Sequence, residues 1–197
     1  MALHGPNVVV VAGSNGSGKS TSAPEILHGT LKVSEFVNAD VIARGLSAFD
    51  PERVALSAGK IMLTRLHELA EARESFAFET TLASRTFTPW LRELIGTGYR
   101  FHLLFYWLGD PELAIARVRQ RVQQGGHHVP DDTVRRRYYA GIHNFFELYQ
   151  PITYSWRVYN NSAGPPPRLI AMGQGATREK VYDPRWWDKF KAERDGP

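Results

Sequence analysis

The chain has 197 residues, 43% hydrophobic and 22% charged, enough to bury one compact core and too apolar for a disordered tail. Cysteine is absent, which excludes disulfides, thiolate zinc sites, iron–sulfur ligation and a cysteine nucleophile. The net charge of +4 is concentrated between Arg117 and Arg137, where six arginines meet only Asp131 and Asp132.

Met1 to Asn7 show no basic stretch followed by a long apolar run, so no signal peptide is expected. The longest apolar runs, Val8 to Ala12 and Leu103 to Leu108, fall far short of the roughly 20 residues a membrane helix needs. The expectation is a soluble, cytoplasmic protein without membrane contact.

Asn7 to Ala12 reads as a buried strand, Gly13 to Lys19 as a glycine-rich turn, and Gly18 to His28 as a helix. Glu35 to Asp40 reads as a second short strand. Asp50-Pro51 reads as a helix start, and Val54, Ala58, Met62, Leu66 and Leu69 carry that helix to about Glu74. A third strand over Ser75 to Leu82 and a helix over Arg85 to Thr97 follow. Arg100 to Leu108 is a nearly continuous apolar strand, as expected where both sheet faces are covered.

Asp110-Pro111 caps a helix to about Gln124, and Gly125-Gly126 breaks it. The next helix opens at Asp131 or Asp132 and places Val134, Tyr138, Ile142, Phe145 and Tyr149 on one face. Arg157 to Ser162 is a fifth strand, Arg168 to Met172 an edge strand after a proline loop, and Trp186-Trp187 lie on a short docking helix. The alternation predicts an α/β fold: three layers around a parallel sheet, of the P-loop nucleoside- or adenylate-kinase-like kind.

Gly13-Ser14-Asn15-Gly16-Ser17-Gly18-Lys19-Ser20 fits G-x-x-x-x-G-K-[ST], a phosphate-binding loop, in its proper strand-to-helix context. Glycines let backbone N–H groups turn toward phosphate oxygens, and the helix N-terminus adds positive potential. Lys19 is expected to reach the β- and γ-phosphates of ATP and Ser20 to ligate Mg²⁺, with Thr21 beside them. Asp40 and Glu79 end the second and third strands, the side where ligands of parallel sheets sit. One carboxylate can take the proton of an attacking hydroxyl and the other can orient substrate or a metal-bound water. A competing reading of Asp40 is a helix cap for Val41 onward, and of Glu79 a buried ion pair.

Arg117 and Arg121 share a helix face, a glycine hinge follows, and Arg135-Arg136-Arg137 open the next helix. That layout suits a lid over transferring phosphate, with Arg137 favoured over Arg136 because Arg136 points away from the buried face. Guanidinium forks match phosphate oxygens, though the excess of arginine over lysine, 18 to 6, also fits a biased genome composition. His127-His128 is not expected to bind metal, since no second ligand stands at the required spacing. Basic and aromatic residues occupy different faces, which argues against a nucleic-acid surface.

These motifs, with Asn38-Ala39-Asp40, Phe78-Glu79-Thr80-Thr81-Leu82 and Tyr159-Asn160-Asn161-Ser162, resemble the zeta toxin family of P-loop kinases over about residues 7–162. The resemblance implies ATP and Mg²⁺ as cofactors and phosphorylation of a small-molecule hydroxyl, that of UDP-N-acetylglucosamine. It implies Asp40 as the base, Glu79 and Thr81 (with Arg85 nearby) on the sugar, Arg117, Arg121 and Arg137 on phosphates, and an antitoxin protein as partner. The whole chain, 1–197, is then one kinase domain with a lid over about 117–137 and a tail over about 176–197. Two readings compete: a kinase of another acceptor (sugar acid, antibiotic or nucleotide), and a nucleotide-switch module. The second ordinarily needs an Asn-Lys-x-Asp loop, which Asn160-Asn161-Ser162-Ala163 does not supply.

Overall fold

The computed structural model describes residues 5–126 and 128–196. Seven strands form one sheet in the order β2-β3-β1-β4-β5-β6-β7, comprising β1 (Asn7–Ala12), β2 (Glu35–Val37), β3 (Phe76–Thr80), β4 (Arg100–Trp107), β5 (Ser155–Asn160), β6 (Arg168–Gln174) and β7 (Arg178–Val181). Strands β1 to β5 run parallel, as expected. After β5 the chain doubles back through the proline loop, so β6 and β7 pair antiparallel and the sheet is mixed at that edge.

Period-two alternation explains the unbroken apolar run of β1. Val8, Val10 and Ala12 join the larger core, while Val9 and Val11 join a smaller core on the other face. Strand β4 does the same, sending Phe101, Leu103, Phe105 and Trp107 one way and Leu104 and Tyr106 the other. Both faces are buried, so neither strand shows the polar alternation of a one-sided sheet.

The helices are α1 (Lys19–Ile26), α2 (Ala39–Leu46), α3 (Ala55–Glu71), α4 (Phe87–Gly96), α5 (Pro111–Gln123), α6 (Asp131–Asn144) and α7 (Pro184–Ala192). Helix α1 covers the smaller core through Ala23 and runs into a π-helical turn, Leu27–Leu31, that adds Leu27. Helix α3 buries Ala58, Met62, Leu66 and Leu69, the expected stripe, yet it starts at Ala55 and not at Asp50-Pro51. The Asp50 side chain accepts the Arg53 amide at 3.3 Å, and residues 51–54 form a turn before the helix. Helix α5 starts as read, with the Asp110 carboxylate accepting the Glu112 amide at 2.8 Å. Helix α7 docks by Trp187 and Phe190, with Trp187 stacked on Trp156 at 5.4 Å and Phe190 against Phe105 and Phe145.

Candidate active site

The carboxyl ends of β1, β2 and β3 converge because register pairs Val11 with Glu79 and Val37 with Phe78. From β1 the chain enters the glycine loop and α1, so Lys19 and Ser20 open that helix. Gly13 has φ +137°, and a Cβ there would stand 2.1 Å from the Tyr106 carbonyl, so only glycine fits beside β4. Ser14 and Ser17 are buried under the loop. Asn15, Gly16, Gly18, Lys19, Ser20 and Thr21 line a cleft of about 440 Å³.

Glu79 is the hub of this cleft. Its Oε2 accepts the Ser20 hydroxyl at 2.7 Å and the Asn38 side-chain amide at 2.9 Å, while Oε1 lies 3.7 Å from Lys19 Nζ. Lys19 Nζ also donates to the Ser14 carbonyl at 2.9 Å, folding the ammonium back over its own loop. Burial lowers the Lys19 pKa from its ordinary value, with Glu79 and then Asp40 opposing that shift and Arg121 adding to it. The buried ammonium is thus held by partners that phosphate oxygens could replace.

Asp40 does not cap the helix it opens. The cap is Asn38, whose Oδ1 accepts the amides of Asp40 at 2.8 Å and Val41 at 3.3 Å. Strand β2 therefore ends at Val37, three residues before the Asp40 end expected from the sequence, and Asp40 lies in the first turn of α2. Its exposed side chain lines the cleft opposite the phosphate loop.

The arginines sort as the helical wheel predicts. Arg117, Arg121 and Arg137 line the cleft, whereas Arg135 pairs with Glu112 and Asp132, and Arg136 is exposed. Arg117 Nη2 donates to the Ser162 carbonyl at 2.9 Å, and Arg137 Nη1 to Asn15 Oδ1 at 3.3 Å. Burial lowers the Arg137 pKa, Arg136 lowers it further, and Asp40 opposes both. Next to Arg137, the Tyr138 hydroxyl sits 2.6 Å from Glu193 Oε2 and 2.5 Å from the Leu108 carbonyl, which ties α6 to the β4 end and the chain's last helix.

Thr80 and Thr81 also line the cleft. Arg85 does not: Leu82, at φ +61°, turns the chain away, and Arg85 is solvent-exposed outside the lining residues. This corrects its expected place beside Glu79 and Thr81. His127 lies outside the described residues, so the tip of the expected lid is only partly placed. Asn38 and Arg44 join the site without having been singled out individually; Asn38 follows the strand apolar run, and Arg44 stands four residues after Asp40.

Among the described residues no group of three or more His, Asp or Glu side chains stands together to hold a metal by itself. The oxygen pair of Ser20 and Glu79 suits Mg²⁺, which is commonly bound through one or two protein oxygens plus substrate phosphates and waters. No helix among the described residues is long and apolar enough to cross a membrane.

Comparison with known proteins agrees with this architecture. A chain of the AvrRxo1-ORF1:AvrRxo1-ORF2 complex, solved with sulphate ions, superposes with a TM-score of 0.74 at 16% identity over 96% of this chain. The protein spans 65% of that chain's length, and the same complex solved with ATP gives 0.73. A chain from the PezAT chromosomal toxin–antitoxin system of Streptococcus pneumoniae gives 0.67 at 14% identity, over 100% of this chain and 81% of that one. At these identities the likeness shows the fold, which is the fold that the resemblance to the zeta toxins implies. An uncharacterized protein of Haemophilus influenzae is 27% identical over 130 residues, 66% of this chain and 91% of that protein. Residues 8–139, well over half the chain and including the phosphate loop, Asp40, Glu79 and the arginine helices, match the AAA domain family. The chain belongs to the AAA domain family, and its architecture is that of a P-loop kinase.

Proposed function

We propose that the protein is a kinase that transfers the γ-phosphate of ATP to a hydroxyl of a small molecule. A nucleotide sugar such as UDP-N-acetylglucosamine is the first acceptor to test, with a sugar acid, an antibiotic or a nucleotide as alternatives. One observation carries the reading: Asp40, freed from capping by Asn38, faces the same cleft as Lys19 and four arginines.

In this mechanism the loop amides and Lys19 hold the β- and γ-phosphates, and Lys19 exchanges its Ser14 and Glu79 contacts for phosphate oxygens. Ser20, with Glu79 beside it, would hold Mg²⁺, which would supply charge neutralisation on the phosphates. Asp40 accepts the proton of the acceptor hydroxyl as that oxygen bonds to the γ-phosphorus and the bond to ADP breaks. Arg121 and Arg137 stabilise the charge on the transferring group, and Arg117 orients the nucleotide phosphates. Glu79 and Thr81, which both line the cleft, orient the acceptor from the β3 side in this reading.

The same reading takes residues 1–197 as one kinase domain, α5 to α6 as its lid, and the cytoplasm, where ATP is plentiful, as its setting. An antitoxin-like protein partner belongs to the proposal, since two of the fold relatives come from a two-protein complex and a toxin–antitoxin system. Phosphorus NMR of Mg-ATP with the pure protein and each acceptor class tests the reading. A new phosphomonoester resonance that grows with ADP supports it; ATP left intact, or hydrolysed to free phosphate, with every acceptor overturns it.

A further inference from the structure

A second cavity of about 270 Å³ opens beyond Asp40, between α2, the turn before α3, and the Gly125-Gly126 end of α5. It shares Asp40, Arg44 and Arg121 with the main cleft, so the two spaces meet at the candidate base. Ala39, Ala43 and Ala55 give it small apolar walls. Just below the range of ligand pockets, about 300–1,000 Å³, it admits a ring-sized fragment more readily than a whole nucleotide sugar.

Five arginines away from the cleft, 65, 119, 135, 168 and 194, hold a carboxylate. Among the described residues, Arg44, Arg117 and Arg137 have no carboxylate within ion-pair distance, and each donates to a neutral oxygen instead. The main cleft carries five cationic side chains, Lys19 and four arginines, against Asp40 and Glu79. Arg117 and Arg137 face the phosphate loop, so the nucleotide phosphates can claim their charge. Arg44 stands on the other side of Asp40, one helical turn along α2, its Nε anchored 3.3 Å from the Asp40 carbonyl. Its guanidinium fork thus borders both spaces with no carboxylate of the described residues within ion-pair distance.

We propose that this second cavity is the acceptor subsite and that Arg44 selects acceptors carrying an anionic group near the reacting hydroxyl. The inference rests on the kinase reading above and adds the chemical class of the acceptor. The anionic group can be a carboxylate, as in a sugar acid, or a phosphate ester, as in a nucleotide sugar; the shared chemistry is an oxyanion matched to the Arg44 fork.

The test uses the full chain loaded with Mg²⁺ and a non-hydrolysable ATP analogue, so that the phosphate loop is filled. Calorimetry then compares N-acetylglucosamine, glucuronate and UDP-N-acetylglucosamine on the wild type, Arg44→Ala and Arg44→Lys. Expected is at least about tenfold tighter binding of one anionic probe over the neutral one. Arg44→Ala should lose that preference, and Arg44→Lys should recover part of it. Which anionic probe wins distinguishes carboxylate from phosphate ester. Equal binding of neutral and anionic probes, no binding of either anionic probe, or an anionic preference that survives Arg44→Ala overturns the proposal. Arg44-dependent binding without phosphate transfer from ATP would leave the subsite standing and remove the kinase reading.

Discussion

Asn161 and Gly18 are fitted to each other: the Asn161 side-chain amide donates to the Ser17 carbonyl at 2.9 Å and would stand 2.3 Å from a Cβ at position 18. Gly18 also has φ +83°, a conformation that L side chains rarely adopt. Gly18→Ala is therefore expected to deform the turn into α1 and weaken Mg-ATP binding by about tenfold or more, from strain of roughly 1–3 kcal/mol. Adding Asn161→Ala removes the collision but not the backbone strain, so the double variant should recover only part of the affinity. Calorimetric titration of both proteins checks this; full recovery would mean the backbone angle costs nothing.

Asp40→Asn separates catalysis from capping. Asn38 caps α2, so the substitution should leave thermal stability within about 0.5 kcal/mol. Loss of a positioned base typically costs 10²- to 10⁴-fold in turnover. A steady-state ADP-release assay with a working acceptor should show that drop, with the KM for ATP little changed. A decrease below about tenfold in a folded protein would transfer the role to Glu79.

Lys19→Met should abolish nucleotide binding without unfolding the chain. Removing one partner of a buried pair is destabilising, but Glu79 keeps the Ser20 hydroxyl and the Asn38 amide, so the variant should be less stable than wild type yet still fold. Saturating Mg-ATP at about 100 times Kd is worth about 2.7 kcal/mol to the wild type, roughly 5–10 °C in Tm for a chain of this size. The variant should shift by less than about 1 °C in the same scan.

A pH dependence comes from the opposite end of the sheet. His102 on β4 lies between Ser155 Oγ at 2.7 Å and Asn7 Oδ1 at 3.1 Å, and burial pushes its pKa down to about 4. The unfolded chain binds that proton near pH 6.5 and the folded chain only near 4, so unfolding takes up a proton in between. His102 thus adds no penalty above about pH 6.5, and stability falls as the pH drops from 6.5 toward 4, by on the order of 3 kcal/mol. Denaturation midpoints across that window should flatten in His102→Gln relative to wild type.

The phosphate loop and the parallel strands were legible because each is written locally, in a fixed spacing of glycines or an unbroken apolar run. Helix α2 was not. Asn38 follows the apolar run of β2 directly, and only its two accepted amides show where the strand yields to a helix. The start of α3 was misplaced because Asp50-Pro51 has the composition of a helix start, while the chain there makes a turn first. Strand β7, Arg-Glu-Lys-Val, is polar and nearly all exposed, so it has no hydrophobic signature; its pairing with β6 alone makes it a strand. Arg44 looked like any arginine on a helix surface until the two cavities on either side of Asp40 gave it a place.

The docking of α7 also gives the molecule an optical property. Of the five tryptophans, Trp156 stacks on Trp187, and Trp107 meets Trp186 edge-on at 5.8 Å, so four of them gather around one short helix. Trp90, packed on Phe76 and His67, stands apart from them. Intrinsic fluorescence therefore reports chiefly on the seating of α7. Through Glu193, which follows that helix, and Tyr138, it is tied to α6, which carries Arg137, so the emission spectrum reads any change in how these two helices sit together without an added label.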